Sequence, residues 1–70
     1  MITFLIPTYN EFKNIDIIVS KINKLSLDEK YIIFFVDDNS NDGSLLKLEK
    51  LKASNNNIKF HIRKKYKRDL

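Results

Sequence analysis

Midway along the chain, six apolar residues run directly into seven turn-forming ones: Tyr31-Ile-Ile-Phe-Phe-Val-Asp-Asp-Asn-Ser-Asn-Asp-Gly43. Strands buried on both faces have such continuous β-branched and aromatic runs, whereas half-exposed strands alternate apolar and polar residues. The Asp, Asn, Ser and Gly residues that follow are typical of a turn, and Gly43 is the only glycine in the sequence. We therefore predict a buried central strand over Tyr31–Val36, followed by a loop over Asp37–Gly43.

The residues before this stretch predict a strand and then a helix. Met1–Ile6 is apolar and favours a strand, and Pro7 is predicted to close it because proline cannot donate to a strand ladder. From Phe12 onward, apolar residues recur at the spacing of one helix face, with Asn10 as the predicted N-cap. These apolar residues are Phe12, Ile15, Ile18, Val19, Ile22 and Leu25.

The residues after the central stretch predict a second helix and a third strand. Leucines fill the apolar positions of residues 45–51, and Ser40 or Asp42 is the predicted cap of this helix. In Ile58–Ile62, apolar residues alternate with polar ones, so one face of this strand is predicted to contact water. Such alternation favours an edge strand.

The order strand, helix, strand, helix, strand predicts an α/β fold with a three-stranded parallel βαβαβ sheet over residues 1–62. Each crossover is long enough for parallel pairing, and right-handed crossovers place both helices on one face of the sheet. The central strand is apolar on its other face as well. A second polypeptide that completes the sheet is therefore a candidate partner.

Composition excludes several classes of site. The chain has 70 residues, no cysteine and one histidine, so disulfides, thiolate zinc sites, cysteine nucleophiles and multi-histidine metal sites are excluded. No apolar run approaches the ~20 residues of a membrane helix, and no signal peptide is recognisable. We expect a cytoplasmic chain, with peripheral contact to a membrane surface left open.

The net charge of +4 comes from the C-terminal end. Residues 1–62 are neutral, whereas residues 63–70 contain five basic residues and one acidic residue. This basic tail is predicted to be either a solvated end or a contact for phosphate or anionic lipid. No nucleic-acid partner is expected, because Tyr66 alone could stack on a base there.

The carboxyl ends of the first two strands are the predicted ligand site, as in other open parallel sheets. They carry residues 7–11 and 37–43, and adjacent strands would bring these two loops together. An aromatic ring with several carboxylates suits a nucleobase with its ribose, or a hard divalent cation. The absence of a glycine-rich turn after the first strand excludes a dinucleotide-binding Rossmann domain and a P-loop NTPase. The residues concerned are Tyr9, Glu11, Asp37, Asp38 and Asp42.

Two motifs together resemble the start of the family-2 glycosyltransferases. They are Ile6-Pro-Thr-Tyr-Asn-Glu11 and Phe35-Val-Asp-Asp-Asn-Ser-Asn-Asp-Gly-Ser44. The branch that they resemble most is that of the dolichol-phosphate mannose synthase-like proteins. The resemblance covers essentially the whole chain, as the Rossmann-like first half of an A-type nucleotide-sugar domain, with residues 63–70 as a truncated loop.

The resemblance implies an enzyme that transfers a sugar, with mannose from a GDP-linked donor as the first choice and a UDP-linked donor as the other. The resemblance implies a lipid phosphate at the membrane surface, or another acceptor, as the group that receives the sugar. Residues matching the family's nucleotide-sugar contacts are Pro7, Tyr9, Glu11, Val36 and Asp38. Asp37 matches an acid that supports the second loop, and Arg63 matches a residue facing the donor phosphates.

The sequence departs from the family at the metal site. Members bind Mg²⁺ or Mn²⁺ through an Asp-x-Asp motif on a later strand, and this metal neutralises the departing diphosphate. No such motif follows the third strand here. We therefore assign no metal ligand and no catalytic residue, and we expect the isolated chain to be an inactive, donor-binding part of a larger enzyme.

Two other functions stay open at this point. A response-regulator receiver domain also has a strand ending in Val-Asp-Asp before a helix, although here a strand and a helix precede that motif. A non-catalytic binding module would use the basic tail for phosphate or lipid. A titration with nucleotides and anions separates these possibilities.

Overall fold

The computed structural model describes residues 1–25 and 28–63. They form strand β1 (Ile2–Thr8), helix α1 (Phe12–Asn23), strand β2 (Tyr31–Asp37), helix α2 (Ser44–Ser54) and strand β3 (Ile58–Ile62). The predicted order of elements is confirmed, and the bounds of β3 are those that its alternating pattern predicts. Of the basic tail, only Arg63 lies among the described residues.

The three strands form one parallel sheet in the order β1-β2-β3, which confirms the predicted fold class. Thr8 is in register with Asp37, and Asp37 with Ile62, so the carboxyl ends of all three strands lie at one edge of the sheet. We call this edge the carboxyl edge. The strand β3 lies at the side of the sheet, as its alternating sequence predicts.

Both helices pack on one face of the sheet and form a single core. Alternate residues of the strands point to this face because side chains in a strand alternate between its two sides. Phe35 and Ile33 of β2 have no exposed surface, and neither has Ile15 of α1 or Leu48 of α2. The buried apolar core consists of Ile15, Val19, Ile22, Ile33, Phe35, Leu48 and Ile58.

The opposite face of the sheet, which we call the open face, is where the structure differs from the prediction for β2. The sequence predicts a strand buried on both faces, yet Ile32, Phe34 and Val36 are only half-buried. Leu5 of β1, which is in register with Phe34, is 65% exposed. In the described residues both helices pack on the other side, so the open face has no helix over it.

Pro7 does not end β1, contrary to the prediction. It pairs in register with Val36, and the strand continues to Thr8. The amide of Ile2 donates to the carbonyl of Lys30, so the even-numbered residues of β1 direct their amides toward β2. The missing amide of Pro7 therefore faces the outer side of an edge strand, where the ladder needs no donor.

The predicted helix caps are also corrected. The N-cap of α1 is Glu11, not Asn10, and the N-cap of α2 is Gly43, which has a φ of 95°. Gly43 suits this position because a glycine has no Cβ to strain at positive φ. The side chains of Asn10 and Ser40, two predicted caps, bond to other groups that are described below.

No helix in residues 1–25 or 28–63 combines the length and the apolar character that crossing a bilayer requires.

Candidate nucleotide-binding site

The two loops at the carboxyl edge begin from a fixed pair of residues. Thr8 and Asp37 are in register, and the amide of Asp38 donates to the carbonyl of Thr8 at 3.0 Å. The amide of Arg63 donates to the carbonyl of Asp37 at 2.7 Å, which ties the end of β3 to the same point. Tyr9 and Asp38 therefore leave the sheet on adjacent strands.

The carboxylate of Asp37 connects β1, β2 and the loop after β2. It has no exposed surface and accepts hydrogen bonds from the Thr8 hydroxyl at 2.6 Å, the Ser40 amide at 2.7 Å and the Ser40 hydroxyl at 2.8 Å. Three donors satisfy a buried carboxylate that would otherwise be costly to remove from water. Since Asp37 is fully buried, its carboxylate is covered by protein at the carboxyl edge.

A second set of hydrogen bonds joins the two loops directly. The amide of Asn10 donates to the Ser40 hydroxyl at 2.6 Å, and the amide of Asn41 donates to the side-chain oxygen of Asn10 at 3.0 Å. Asn10 has a φ of 52°, a left-handed conformation that asparagine tolerates better than most residues. The loop that carries Tyr9 is thus fixed at Asn10, the residue after Tyr9.

Asp42 bonds to the first turns of both helices. One carboxylate oxygen accepts from the amide of Phe12 at 3.1 Å, and the other accepts from the amide and the hydroxyl of Ser44 at 3.1 and 2.6 Å. The hydroxyl of Ser44 contributes most to keeping the pKa of Asp42 below its ordinary value, and the two amides act in the same direction. The helix dipoles also favour a negative charge here.

The open face continues into the candidate site through Pro7 and Val36. These residues are in register with each other, and Val36 is also in register with His61 of β3. Pro7 is exposed and Val36 half-buried, while the side chain of Tyr9 is 53% exposed. An apolar ledge and an accessible aromatic ring therefore lie together at the end of β1.

Asp38 and Arg63 form an ion pair beside this ledge. The Arg63 Nε lies 3.2 Å from a carboxylate oxygen of Asp38, and the two side chains are 62% and 44% exposed. An exposed pair of this kind contributes about 0–1 kcal/mol, so either partner can turn toward a ligand at little cost. The pair places one acidic and one basic group at the carboxyl edge.

Glu11, a further predicted site residue, bonds to the first turn of α1. Its carbonyl accepts from the amides of Asn14 and Ile15, and its carboxylate accepts from the Asn14 side chain at 2.9 Å. The carboxylate thus lies along the first turn of α1. The half-exposed side chain still belongs to the loop that Tyr9 begins.

A family model supplies the decisive comparison. The model described as glycosyl transferase family 2 matches residues 3–69, which includes both loops of the candidate site. The chain belongs to glycosyltransferase family 2. A glycosyltransferase function and a nucleotide-sugar donor follow in general from this membership. No curated protein matches the sequence significantly.

The described residues of this family-2 chain contain no cluster of acidic and histidine side chains that could hold a metal ion by itself. No three acidic or histidine side chains are grouped as ligands in the parts of the chain that the structure describes. The Asp37 carboxylate is buried among donors, Asp38 is paired with Arg63, and Asp42 accepts from helix amides. In the described residues these three acids therefore bond to protein donors, and they do not form the multi-carboxylate cluster that a divalent cation held by protein alone would need.

Sequence reasoning did not find the roles of Asn10 and Ser40 in this family-2 chain. Both were predicted as caps, because Asn and Ser favour the position before a helix. The sequence did indicate that Asn10 and Ser40 lie in two loops that adjacent parallel strands bring together. Which donor meets which acceptor across those loops depends on the register of β1 with β2, and sequence patterns do not give that register.

Proposed function

We propose that this family-2 chain binds the nucleotide of a sugar donor at the carboxyl edge, between Tyr9, Val36 and Asp38. The observation that supports this most is the hydrogen bond from the Asp38 amide to the Thr8 carbonyl. Because of it, an exposed aromatic ring and a half-exposed carboxylate start from adjacent points. A nucleoside needs both, a flat face for its base and an acceptor for its N–H or ribose O–H groups.

Tyr9 is proposed to stack on the base. Its ring is 53% exposed, and the next residue is fixed by the bond from the Asn10 amide to Ser40. Stacking of a base on an aromatic ring is worth about 1–3 kcal/mol and does not depend strongly on which base is bound. Pro7 and Val36 would form the apolar floor below the nucleoside, and Glu11 would contact it from the start of α1.

Asp38 is proposed to accept hydrogen bonds from the nucleoside, and Arg63 to face the diphosphate. A free carboxylate has acceptors only, which suits the N–H groups of a base or the hydroxyls of a ribose. A guanidinium binds phosphate oxygens through two parallel N–H donors. In the structure Asp38 and Arg63 form an ion pair with each other. A bound nucleotide would replace this ion pair with a contact from Asp38 to the nucleoside and one from Arg63 to the diphosphate.

The donor is proposed to be GDP-mannose, with UDP-linked sugars as the alternative. Guanine presents adjacent N–H donors that a single carboxylate such as Asp38 can accept together, whereas uracil presents one. The motif around Asp38, with Asn39 and Ser40 after it, resembles the dolichol-phosphate mannose synthase-like branch. A lipid-phosphate acceptor at the cytoplasmic membrane surface is proposed on the same resemblance.

In the transfer itself, an acceptor oxygen bonds to the anomeric carbon while the bond from that carbon to the diphosphate oxygen breaks. The nucleoside diphosphate leaves with the electron pair of the broken bond, and the ionised phosphate oxygen of a lipid-phosphate acceptor has no proton to give up. The role proposed for this chain is to bind and orient the donor. Residues 1–62 would form the donor-binding unit, and Mg²⁺ or Mn²⁺ would act in the complete enzyme through ligands other than the described acids.

The open face supports a proposal about partners. Leu5, Ile32 and Phe34 leave apolar surface on the open face, and α/β proteins with parallel sheets cover both faces. We propose that a further polypeptide segment, on this or a second chain, covers this face in the complete enzyme.

Calorimetric titration of the chain with GDP, UDP and inorganic phosphate tests the proposed function. Tyr9→Ala and Asp38→Asn are each expected to weaken nucleotide binding by about tenfold. Asp28→Asn is the matched control, because Asp28 is exposed in the connection before β2, at the opposite edge of the sheet. Equal loss in Asp28→Asn and Asp38→Asn, or phosphate binding as tight as nucleotide binding, would contradict the proposal.

A further inference from the structure

We propose that Ser40 is a positioning residue of the donor site, which sets the loop carrying Tyr9 by holding the backbone of Asn10. The inference rests on the proposed function, since it concerns the same nucleotide site. Ser40 is 6% exposed and its side chain lies between Asp37 and Asn10. It acts on a ligand only through these neighbours.

The hydroxyl of Ser40 both donates and accepts a hydrogen bond. It donates to the buried Asp37 carboxylate at 2.8 Å and accepts from the amide of Asn10 at 2.6 Å. A serine hydroxyl has one hydrogen to donate, and the bond to Asp37 uses it. The oxygen lone pairs are then directed at the Asn10 amide, so the position of Asp37 fixes the position of the Asn10 backbone.

Asn10 is the residue at which this support matters most. Its φ of 52° is a left-handed conformation that asparagine adopts more readily than other non-glycine residues but still at some cost, and surrounding contacts help to maintain it. The bond from the Asn41 amide to the Asn10 side chain holds the other side of the same residue. Since Asn10 lies between Tyr9 and Glu11, a change in its backbone dihedral angles redirects both side chains.

Asp37, to which the Ser40 hydroxyl bonds, is held by more contacts than the loop that contains Asn10. Asp37 lies at the end of the central strand, with the Thr8 hydroxyl and the Ser40 amide as further donors. The first loop, in contrast, has an exposed Tyr9 and an exposed Asn10. Loss of the Ser40 hydroxyl therefore leaves the strand end in place and removes one of the two hydrogen bonds that hold Asn10.

The test compares Ser40→Ala with Ser40→Thr, which keeps the hydroxyl. In Ser40→Ala we expect the Asn10 amide resonance to shift and the dissociation constant for GDP to rise by about tenfold. Ser40→Thr is expected to restore both most of the way. Val19→Ala, a core variant remote from the loops, lowers stability as well, and it is expected to leave the dissociation constant unchanged.

Amide exchange in the unaltered chain gives a reading that does not depend on how well any variant folds. An Asn10 amide bonded to a buried hydroxyl is expected to exchange much more slowly than the unfolded rate. An unprotected Asn10 amide overturns the inference, as does a Ser40→Ala chain that binds GDP like the unaltered one. If the unaltered chain binds neither GDP nor UDP, the proposed function itself fails, and that outcome is distinct from both.

Discussion

The hydroxyl of Thr8 donates a 2.6 Å hydrogen bond to the carboxylate of Asp37, linking the last residues of two adjacent parallel strands. The same carboxylate holds the amide and the hydroxyl of Ser40 in the next loop. A buried acid in the helix-facing row of the sheet thus organises the carboxyl edge. The side chain of its neighbour Asp38, in contrast, is 44% exposed.

Asp37→Asn is predicted to lower the free energy of unfolding by about 1–3 kcal/mol, because it replaces a charged acceptor of three buried hydrogen bonds. Asp38→Asn is the matched control. It changes a half-exposed residue in a surface ion pair and is expected to cost less than about 1 kcal/mol. Urea unfolding followed by circular dichroism measures both. Equal losses in the two variants would show that Asp37 does not organise this edge.

Ile33→Val and Ile32→Val test which face of β2 is the core. Ile33 has no exposed surface and packs under the helices, so removing its methyl group is expected to cost about 0.5–1.5 kcal/mol of unfolding free energy. Ile32 is the neighbouring residue, on the open face. Ile32→Val removes the same methyl group and is expected to lower the unfolding free energy clearly less. Urea unfolding measures both variants. A larger loss in Ile32→Val than in Ile33→Val would contradict the packing of the helices on the Ile33 face.

Gly43→Ala is predicted to destabilise the chain by about 1–3 kcal/mol, because its φ of 95° strains any residue with a Cβ. The new Cβ would also lie 3.3 Å from Cδ1 of Phe12, a tight contact. Gly43→Asn is the control, since asparagine tolerates positive φ better and is expected to cost less. Thermal unfolding ranks the three chains. An alanine variant as stable as the parent would argue against this turn.

Asp42 is predicted to titrate below the ordinary range of an aspartate, because the hydroxyl of Ser44 stabilises its charged form. Its pKa is lower in the folded than in the unfolded chain. The resulting stabilisation is therefore present above the unfolded pKa and is lost as the pH falls through the folded pKa.

Carboxyl-carbon NMR titration measures the pKa of Asp42 directly. Ser44→Ala is expected to raise it toward the ordinary value and to move acid unfolding to higher pH. An Asp42 pKa that is the same in the parent chain and in Ser44→Ala would contradict the role of this hydroxyl.

Much of the fold follows from local patterns in the sequence. The run Tyr31–Val36 indicates the central strand, the alternation in Ile58–Ile62 indicates the edge strand, and the spacing from Phe12 indicates α1. The continuous run in β2 indicates a central strand, although the burial of both its faces that the run predicts is wrong. The alternation in β3 and the spacing in α1 reflect which side of each element meets the core, and neighbouring residues carry that information. This is why the element order and the parallel sheet were predictable.

The rest depended on contacts between distant residues. Pro7 continues β1 because its missing amide faces an outer edge, which only the strand order reveals. Asn10 and Ser40 have the composition of helix caps, yet they bond to each other across two loops. The positions of Tyr9 and Asp38 at neighbouring strand ends were predicted in outline, whereas the ion pair of Asp38 with Arg63 was not.

The most direct test of the proposed nucleotide site is an amide NMR titration of the chain with GDP and then UDP, each with and without Mg²⁺. We predict shifts concentrated at Tyr9, Val36, Asp38 and Arg63, with the residues around Asp28 at the opposite edge unmoved. Mg²⁺ is expected to change the pattern little, because the acids among the described residues form no group of three metal ligands. Shifts at the opposite edge, or none at about 1 mM nucleotide, would contradict a donor site at the carboxyl edge.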